Sequence, residues 1–206
     1  MNTPCIFDLE TEALPIAEQL EKFEPEFEAD TRLKDPAKIA ESLNDKKLKW
    51  AETAALHAER SRCLVIGVSY DGSPTILEDD EPKMIKVFWG NFESDSSLWI
   101  GHFIKGFDIP YLVRRSYILG VKVPAGLFDG KYLSRRFVDT MEVWGAGEWG
   151  ARISLDNLSR ALGVGKKSGS GKDFSSLWRS DRQAAKSYLL QDLALTEACA
   201  KKMNIF

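Results

Sequence analysis

At 206 residues, 44% hydrophobic and 29% charged, the chain can bury one substantial core and is short for two ordinary domains, so one domain over residues 1–206 is expected. A formal net charge of −3 excludes a protein that coats nucleic acid by bulk electrostatics, but not an enzyme that gathers acids around divalent cations, since bound metals put positive charge where phosphate sits. Cys5, Cys63 and Cys199 lack paired spacing, and neither a basic leader nor eighteen consecutive apolar residues occurs, which disfavours disulfides, zinc and a membrane partner and sets the expectation of a soluble, cytoplasmic protein.

Residues 4–10, apolar and then alternating, read as a buried strand whose end carries acids. The acidic stretch from Glu12 to Arg32 shows no clear period and reads as an extended or irregular connection. Asp35-Pro36 has the form of an N-cap with proline at the first helical position, opening a charged, alanine-rich helix to about Arg60. Residues 62–70 form a second strand, joined through Asp71-Gly72 to a short strand at Pro74–Leu77. Helices are expected at Pro82–Phe92 and Asp108–Leu119, the latter with apolar residues at Ile109, Leu112, Val113 and Ile118. Short strands are expected at Leu98–Gly101 and Phe137–Asp139. Ser154 opens a helix ending at Gly163. The Gly/Ser/Lys run Gly165–Lys172 reads as the most flexible segment, and a last helix extends from about Ser180 to Met203. Strands with interspersed helices predict an α/β sheet with an antiparallel portion.

Asp8 and Glu10, two apart on a strand, face the same side. Paired carboxylates on a buried face repel unless a cation lies between them, and a hard divalent ion such as Mg²⁺ or Mn²⁺ suits oxygen ligands; an isolated Asp-x-Glu pair is otherwise ordinary solvated surface. Asp108, at a helix start, is by itself an N-cap residue. Tyr188 and Asp192 stack one turn apart on a helix, and the leucines around Asp192 set that acid at the core's edge, where it needs a partner. Tyr188 alone is a core-edge aromatic. His57 and His102 lack metal-ligand spacing and read as structural. Arg114, Arg115, Lys131, Arg135, Arg136, Arg152 and the lysines of residues 165–172 are the basic side chains available to a polyanion.

In order and spacing these features resemble the three motifs of the DnaQ-like, or DEDD, 3′-5′ exonucleases. Phe7-Asp8-Leu9-Glu10-Thr11 is similar to the first motif, the segment from Gly101-His102 to Gly106-Phe107-Asp108-Ile109-Pro110 to the second, and Tyr188 to Asp192 to the third. The tyrosine resembles the DEDDy branch, shared with the proofreading domains of family B polymerases. The strand from Cys63 to Tyr70, Val138-Asp139-Thr140-Met141 and Ser154–Leu158 are also similar to that branch.

The resemblance implies a ribonuclease H-like fold, a mixed sheet flanked by helices. It further implies a two-metal hydrolysis of single-stranded DNA from the 3′ end. Asp8 would bridge two Mg²⁺ or Mn²⁺ ions, Glu10 and Asp192 would hold the one that activates water, Asp108 would help hold the one beside the leaving oxygen, and Tyr188 would orient the water. A free tyrosine has a pKa of about 10, so the metal does most of the activation. Leu9, Thr11, His102, Phe103 and Phe107 are the residues expected at the substrate strand. Phe103 stands where the family usually has asparagine, so the grip on the terminal nucleotides departs from the pattern. The expected partners are 3′ ends of nucleic acid and, for one chain of a larger complex, a separate polymerase or repair assembly. Two alternatives stay open: an exoribonuclease, since no reader of the 2′ hydroxyl is visible, and an inactive binding module, which only Phe103 favours.

Overall fold

The computed structural model describes residues 4–23, 26–94, 96–148, 150–169 and 171–206. The chain divides into two compact units, Met1–Glu10 with Cys63–Phe206, and Thr11–Arg62.

Strand β1 spans Cys5–Ala13, three residues beyond its expected end. A helix, α1 (Ile16–Phe23), follows where an irregular connection was expected. Its apolar positions Ile16, Leu20 and Phe23 do recur at helical spacing, but acids and lysine between them masked the period. Lys22 pairs with Glu18 one turn away at 2.8 Å, and the buried Gln19 side chain donates to the Leu14 carbonyl at 2.6 Å, fixing the helix entrance. Helix α2 (Pro36–Glu52) is capped by Asp35, which accepts from the Ala37 amide. It stops eight residues short of the expected end and tightens into a 3₁₀ turn at Thr53–Leu56. Beyond that turn Arg60 folds back over the Trp50 ring, 4.3 Å from its centroid, and donates to the Trp50 carbonyl.

Strand β2 (Ser61–Tyr70) pairs antiparallel with β3 (Ser73–Leu77). Their turn places both Asp71 (φ 50°) and Gly72 (φ 71°) in left-handed conformations, the primed geometry that suits hairpin twist. Helix α3 (Glu81–Ser94), strand β4 (Trp99–Gly101) and helix α4 (Asp108–Leu119) follow, α4 with the expected bounds and a left-handed Gly120 at its end. A small hairpin that the sequence reading did not anticipate, β5 (Phe128–Asp129) with β6 (Tyr132–Leu133), precedes β7 (Phe137–Asp139) and the short helix α5 (Thr140–Gly145). Helix α6 (Leu155–Ala161) is capped by Ser154. The last helix begins later than expected. Residues Phe174–Ser180 form α7, and the chain breaks at Asp181 (φ −146°, ψ 88°), whose side chain caps α8 (Arg182–Lys202).

The main sheet has the order β3-β2-β1-β4-β7, with β1, β4 and β7 parallel. One side of β1 anchors in an aromatic core. The Phe7 ring meets Phe88 and Trp99 in tilted contacts at centroid distances of 5.2 and 5.7 Å and Phe137 edge-on at 6.4 Å, arrangements that aromatic quadrupoles favour. Helix α8 lies across the sheet. Its Leu193 packs with Ile6 and Ile100, and its Leu189 packs with Val65, Phe174 and Trp178. No helix among the described residues is long and apolar enough to cross a membrane.

Candidate metal centre

Because β1 alternates, burying Phe7 and Leu9 turns Asp8 and Glu10 together to the opposite face. Helix α8 supplies Tyr188 and Asp192 one turn apart, with Asp192 only 3% exposed. Asp8, Glu10 and Asp192 each offer an oxygen within 4.8 Å of the others'. Asp108 opens α4, also 3% exposed, close enough to Asp8 for that charge to help raise its pKa. Carboxylates from three elements far apart in sequence thus converge, Asp8, Glu10 and Asp192 by distance and Asp108 by its electrostatic interaction with Asp8 and Glu10.

Their ionisation reflects this crowding. Burial, reinforced by the Asp192 charge and opposed by Lys167, pushes Asp8 up to about 7. Burial and the charges of Asp8 and Asp192 hold Glu10 well above the usual carboxylate range. Asp108 is raised in the same sense by burial and by Asp8. Asp192 is raised by burial, against the pull of Lys167. Burial also raises the Tyr188 hydroxyl, which therefore keeps its proton at neutral pH.

Lys167 is the residue the sequence reading passed over, counting it only among the lysines of a Gly/Ser/Lys run. Its Nζ lies 2.5 Å from Asp192 Oδ2 and 4.9 Å from the centre of the Tyr188 ring. The Asp192 charge raises its pKa further, although burial works the other way. The run passes beside the acids: a Cβ on Gly169 would touch the Tyr188 ring at 3.4 Å, and one on Gly171 would lie 3.9 Å from Glu10 Oε2. Nothing in the period of the sequence announces this; small residues around three lysines, upstream of an acid that needs a partner, were its only signal.

The residues fit a metal. Asp108 Oδ1 is buried without a hydrogen-bond partner among the described residues, which is unfavourable unless something else satisfies it, and the Tyr188 hydroxyl interacts only with the charged Lys167 and Asp192 beside it. All candidate ligands are carboxylate oxygens, a donor set for hard ions such as Mg²⁺ or Mn²⁺.

The remaining expected site residues have the following surroundings. Leu9 is buried. Thr11 Oγ1 donates to the Ala55 carbonyl at 2.7 Å. Both ring nitrogens of His102 are engaged, Nδ1 with Thr140 Oγ1 and Nε2 with the Ile153 carbonyl, each at 2.9 Å. Burial lowers its pKa, so the neutral ring donates from Nε2 and accepts at Nδ1. Phe103 has a left-handed backbone, φ 63°, its ring lies on Gly106, where any Cβ would come within 2.2 Å, and the Arg152 guanidinium stands 5.4 Å from the ring centroid. Phe107 packs on Tyr111 at 5.4 Å.

Two of the expected polyanion contacts are corrected. Arg115 is buried and paired with Glu81 at 2.5 Å, and the Arg136 guanidinium covers the Phe92 ring at 4.0 Å while donating to the Ser97 carbonyl. Both cations are committed to joining core elements. Arg114, Lys131, Arg135 and Arg152 are exposed; the Lys172 side chain lies outside what is described.

Residues 54–196 match a family model described as a predicted 3′-5′ exonuclease related to the exonuclease domain of PolB. The match takes in Asp108, Tyr188 and Asp192 and begins downstream of β1. A search of curated proteins finds no relative. Among solved structures, the family B DNA polymerase from the hyperthermophilic archaeon Pyrobaculum calidifontis is similar, with a TM-score of 0.64 and 18% identity over 99% of this chain and 25% of the polymerase chain. The chain thus spans about a quarter of that polymerase. At that identity the likeness shows the fold, and the α/β, ribonuclease H-like mixed sheet expected from the motifs is the one observed.

Proposed function

Because the chain belongs to the family of predicted 3′-5′ exonucleases related to the exonuclease domain of PolB, we propose that it removes nucleotides singly from the 3′ end of single-stranded DNA and releases 5′ mononucleotides, with Asp8, Glu10, Asp108 and Asp192 holding two Mg²⁺ or Mn²⁺ ions. The observation that carries this reading is the meeting of the Asp8, Glu10 and Asp192 oxygens within 4.8 Å, with Asp108 electrostatically joined to them. Bound divalent cations would supply water activation and neutralise charge on the attacking and leaving oxygens. The chain's part is to hold and orient. Asp8 would serve both ions, Glu10 and Asp192 would hold the ion that activates water, and Asp108 would help hold the one on the leaving-group side.

Tyr188, kept protonated by burial, orients the attacking water through its hydroxyl rather than acting as a base. Lys167 balances the Asp192 charge and stands beside the acids, where it can meet a phosphate. Phe103 and Phe107 border the terminal nucleotides, His102 holds their loop, and Leu9 and Thr11 flank the acids. The two compact units together make one exonuclease domain. The substrate is a free or frayed 3′ end, presented alone or by a partner polymerase or repair assembly.

Digestion of 5′-labelled single-stranded DNA tests the reading. A ladder shortening from the 3′ end, dependent on Mg²⁺ or Mn²⁺ and abolished by chelator, is the expected result. Equal cutting of covalently closed single-stranded circles would show an endonuclease instead, and faster digestion of the matching RNA would move the substrate to RNA.

A further inference from the structure

The loop between β4 and α4 delivers Asp108 to the carboxylate cluster, yet its own backbone is unfavourable. Phe103 occupies a left-handed conformation, φ 63°, which a bulky L residue adopts only when its surroundings impose it. Internal bonds account for part of the loop: the Phe103 carbonyl accepts from the Gly106 and Phe107 amides, and the Ile104 carbonyl accepts from the Ile109 amide. The amides of Phe103 and Lys105 are satisfied by one side chain thirty-odd residues away. Asp139 Oδ1 accepts from the Phe103 amide at 2.9 Å and Oδ2 accepts from the Lys105 amide at 3.0 Å. Asp139 is 2% exposed, at the end of β7 and in register with Gly101 of β4.

Its Oδ1 also accepts from the Met141 amide at 2.9 Å, capping α5. A cap alone requires one such bond; here both oxygens are committed to the loop as well. The neighbouring Thr140 hydroxyl engages His102, so three points of the loop, residues 102, 103 and 105, are tied to the β7–α5 junction.

We propose that Asp139 is a positioning residue, clamping the loop of residues 102–107 through the Phe103 and Lys105 amides so that Asp108 and Phe103 are preset for cations and for the 3′-terminal nucleotide. The inference rests on the exonuclease reading for its kinetic consequence, but not for its structural one. Asp139→Ser separates the two duties: serine is as good an N-cap as aspartate, but its single oxygen is too short and too few to hold both loop amides.

The test is hydrogen exchange, Mn²⁺ titration and single-turnover digestion of a labelled single strand, run on wild type and Asp139→Ser. The Phe103 and Lys105 amides should lose protection while Met141 keeps it, the Mn²⁺ midpoint should rise, and the rate should fall about 10²-fold with strand affinity within about threefold, the size expected when a group is misplaced by roughly an ångström. Raising Mn²⁺ should recover part of that rate. If Asp139→Ser does not fold, Asp139→Asn, which keeps one accepting oxygen, is read by the same measurements. Unchanged loop protection with a wild-type rate overturns the inference, and so does protection lost evenly across the protein. If wild type digests no 3′ end, the exonuclease reading fails, while exchange and Mn²⁺ binding still decide the clamp.

Discussion

Tyr188 and Asp192 share a face of α8 but stand in different surroundings, so their replacement should fail in different ways. The Tyr188 ring is packed with Phe174, centroids 5.9 Å apart, and its hydroxyl alone faces the acids. Tyr188→Phe keeps that packing and deletes the group that orients water. Turnover should fall about 10²-fold while Mn²⁺ binding persists; a variant with wild-type turnover would return Tyr188 to a packing role. Asp192→Ala removes a proposed ligand and should reduce digestion to background with weakened Mn²⁺ binding. Lys167 behaves oppositely to both. Without metal it is the partner of a buried carboxylate, 2.5 Å away, and removing one member of such a pair leaves an uncompensated charge. Lys167→Met should lower metal-free stability by about 3 kcal/mol, the lower end for breaking a buried pair. Denaturant titration with and without Mn²⁺ checks this, since the cation should restore most of the loss. A variant as stable as wild type under chelation would mean that the pair is not made in solution.

At the scale of elements, what places Tyr188 and Asp192 is the close approach of α8 to β2. A Cβ on Gly67 would lie 2.9 Å from Leu193 Cδ1 and 3.1 Å from Leu189 Cγ, and both leucines are buried. Gly67→Val should push α8 away and destabilise the protein by about 1–3 kcal/mol, as overpacking does. It should also slow digestion more than a surface change of equal stability cost; thermal melts beside rate measurements would show whether stability and rate separate.

The same elements show what the sequence exposes. Asp8 and Glu10, and Tyr188 and Asp192, were legible because strand and helix periods fix which residues share a face. Helix α4 was legible from its apolar spacing. Helix α1 was not, because its apolar residues sit among acids and lysines. Helix α7 was not, because its seven residues are too few to show a helical period. Lys167 was not, because a Gly/Ser run has no period from which to project a side chain.

For the molecule as a whole, the sheet and α8 hold together acids that would separate if the chain were free. Burial and mutual repulsion raise Asp8 to about 7 and lift Glu10 and Asp108 well above the ordinary range, so the metal-free fold carries an unfavourable centre that the unfolded chain does not. Ions that bind the assembled carboxylates and not the dispersed ones must then stabilise the fold by mass action. At a free Mg²⁺ or Mn²⁺ concentration a hundredfold above Kd the gain is about 2.7 kcal/mol, which for a chain of this size corresponds to a rise in Tm of roughly 5–10 °C. The shift should grow logarithmically with cation concentration, vanish on chelation, and be lost in Asp8→Ala and Asp192→Ala, whereas an exposed acid such as Glu41 replaced by alanine should leave it intact. Differential scanning calorimetry over a cation series measures all of these. A Tm indifferent to both ions, or one raised equally in Asp8→Ala, would show that the four carboxylates do not bind divalent metal and that Lys167 is the partner they keep.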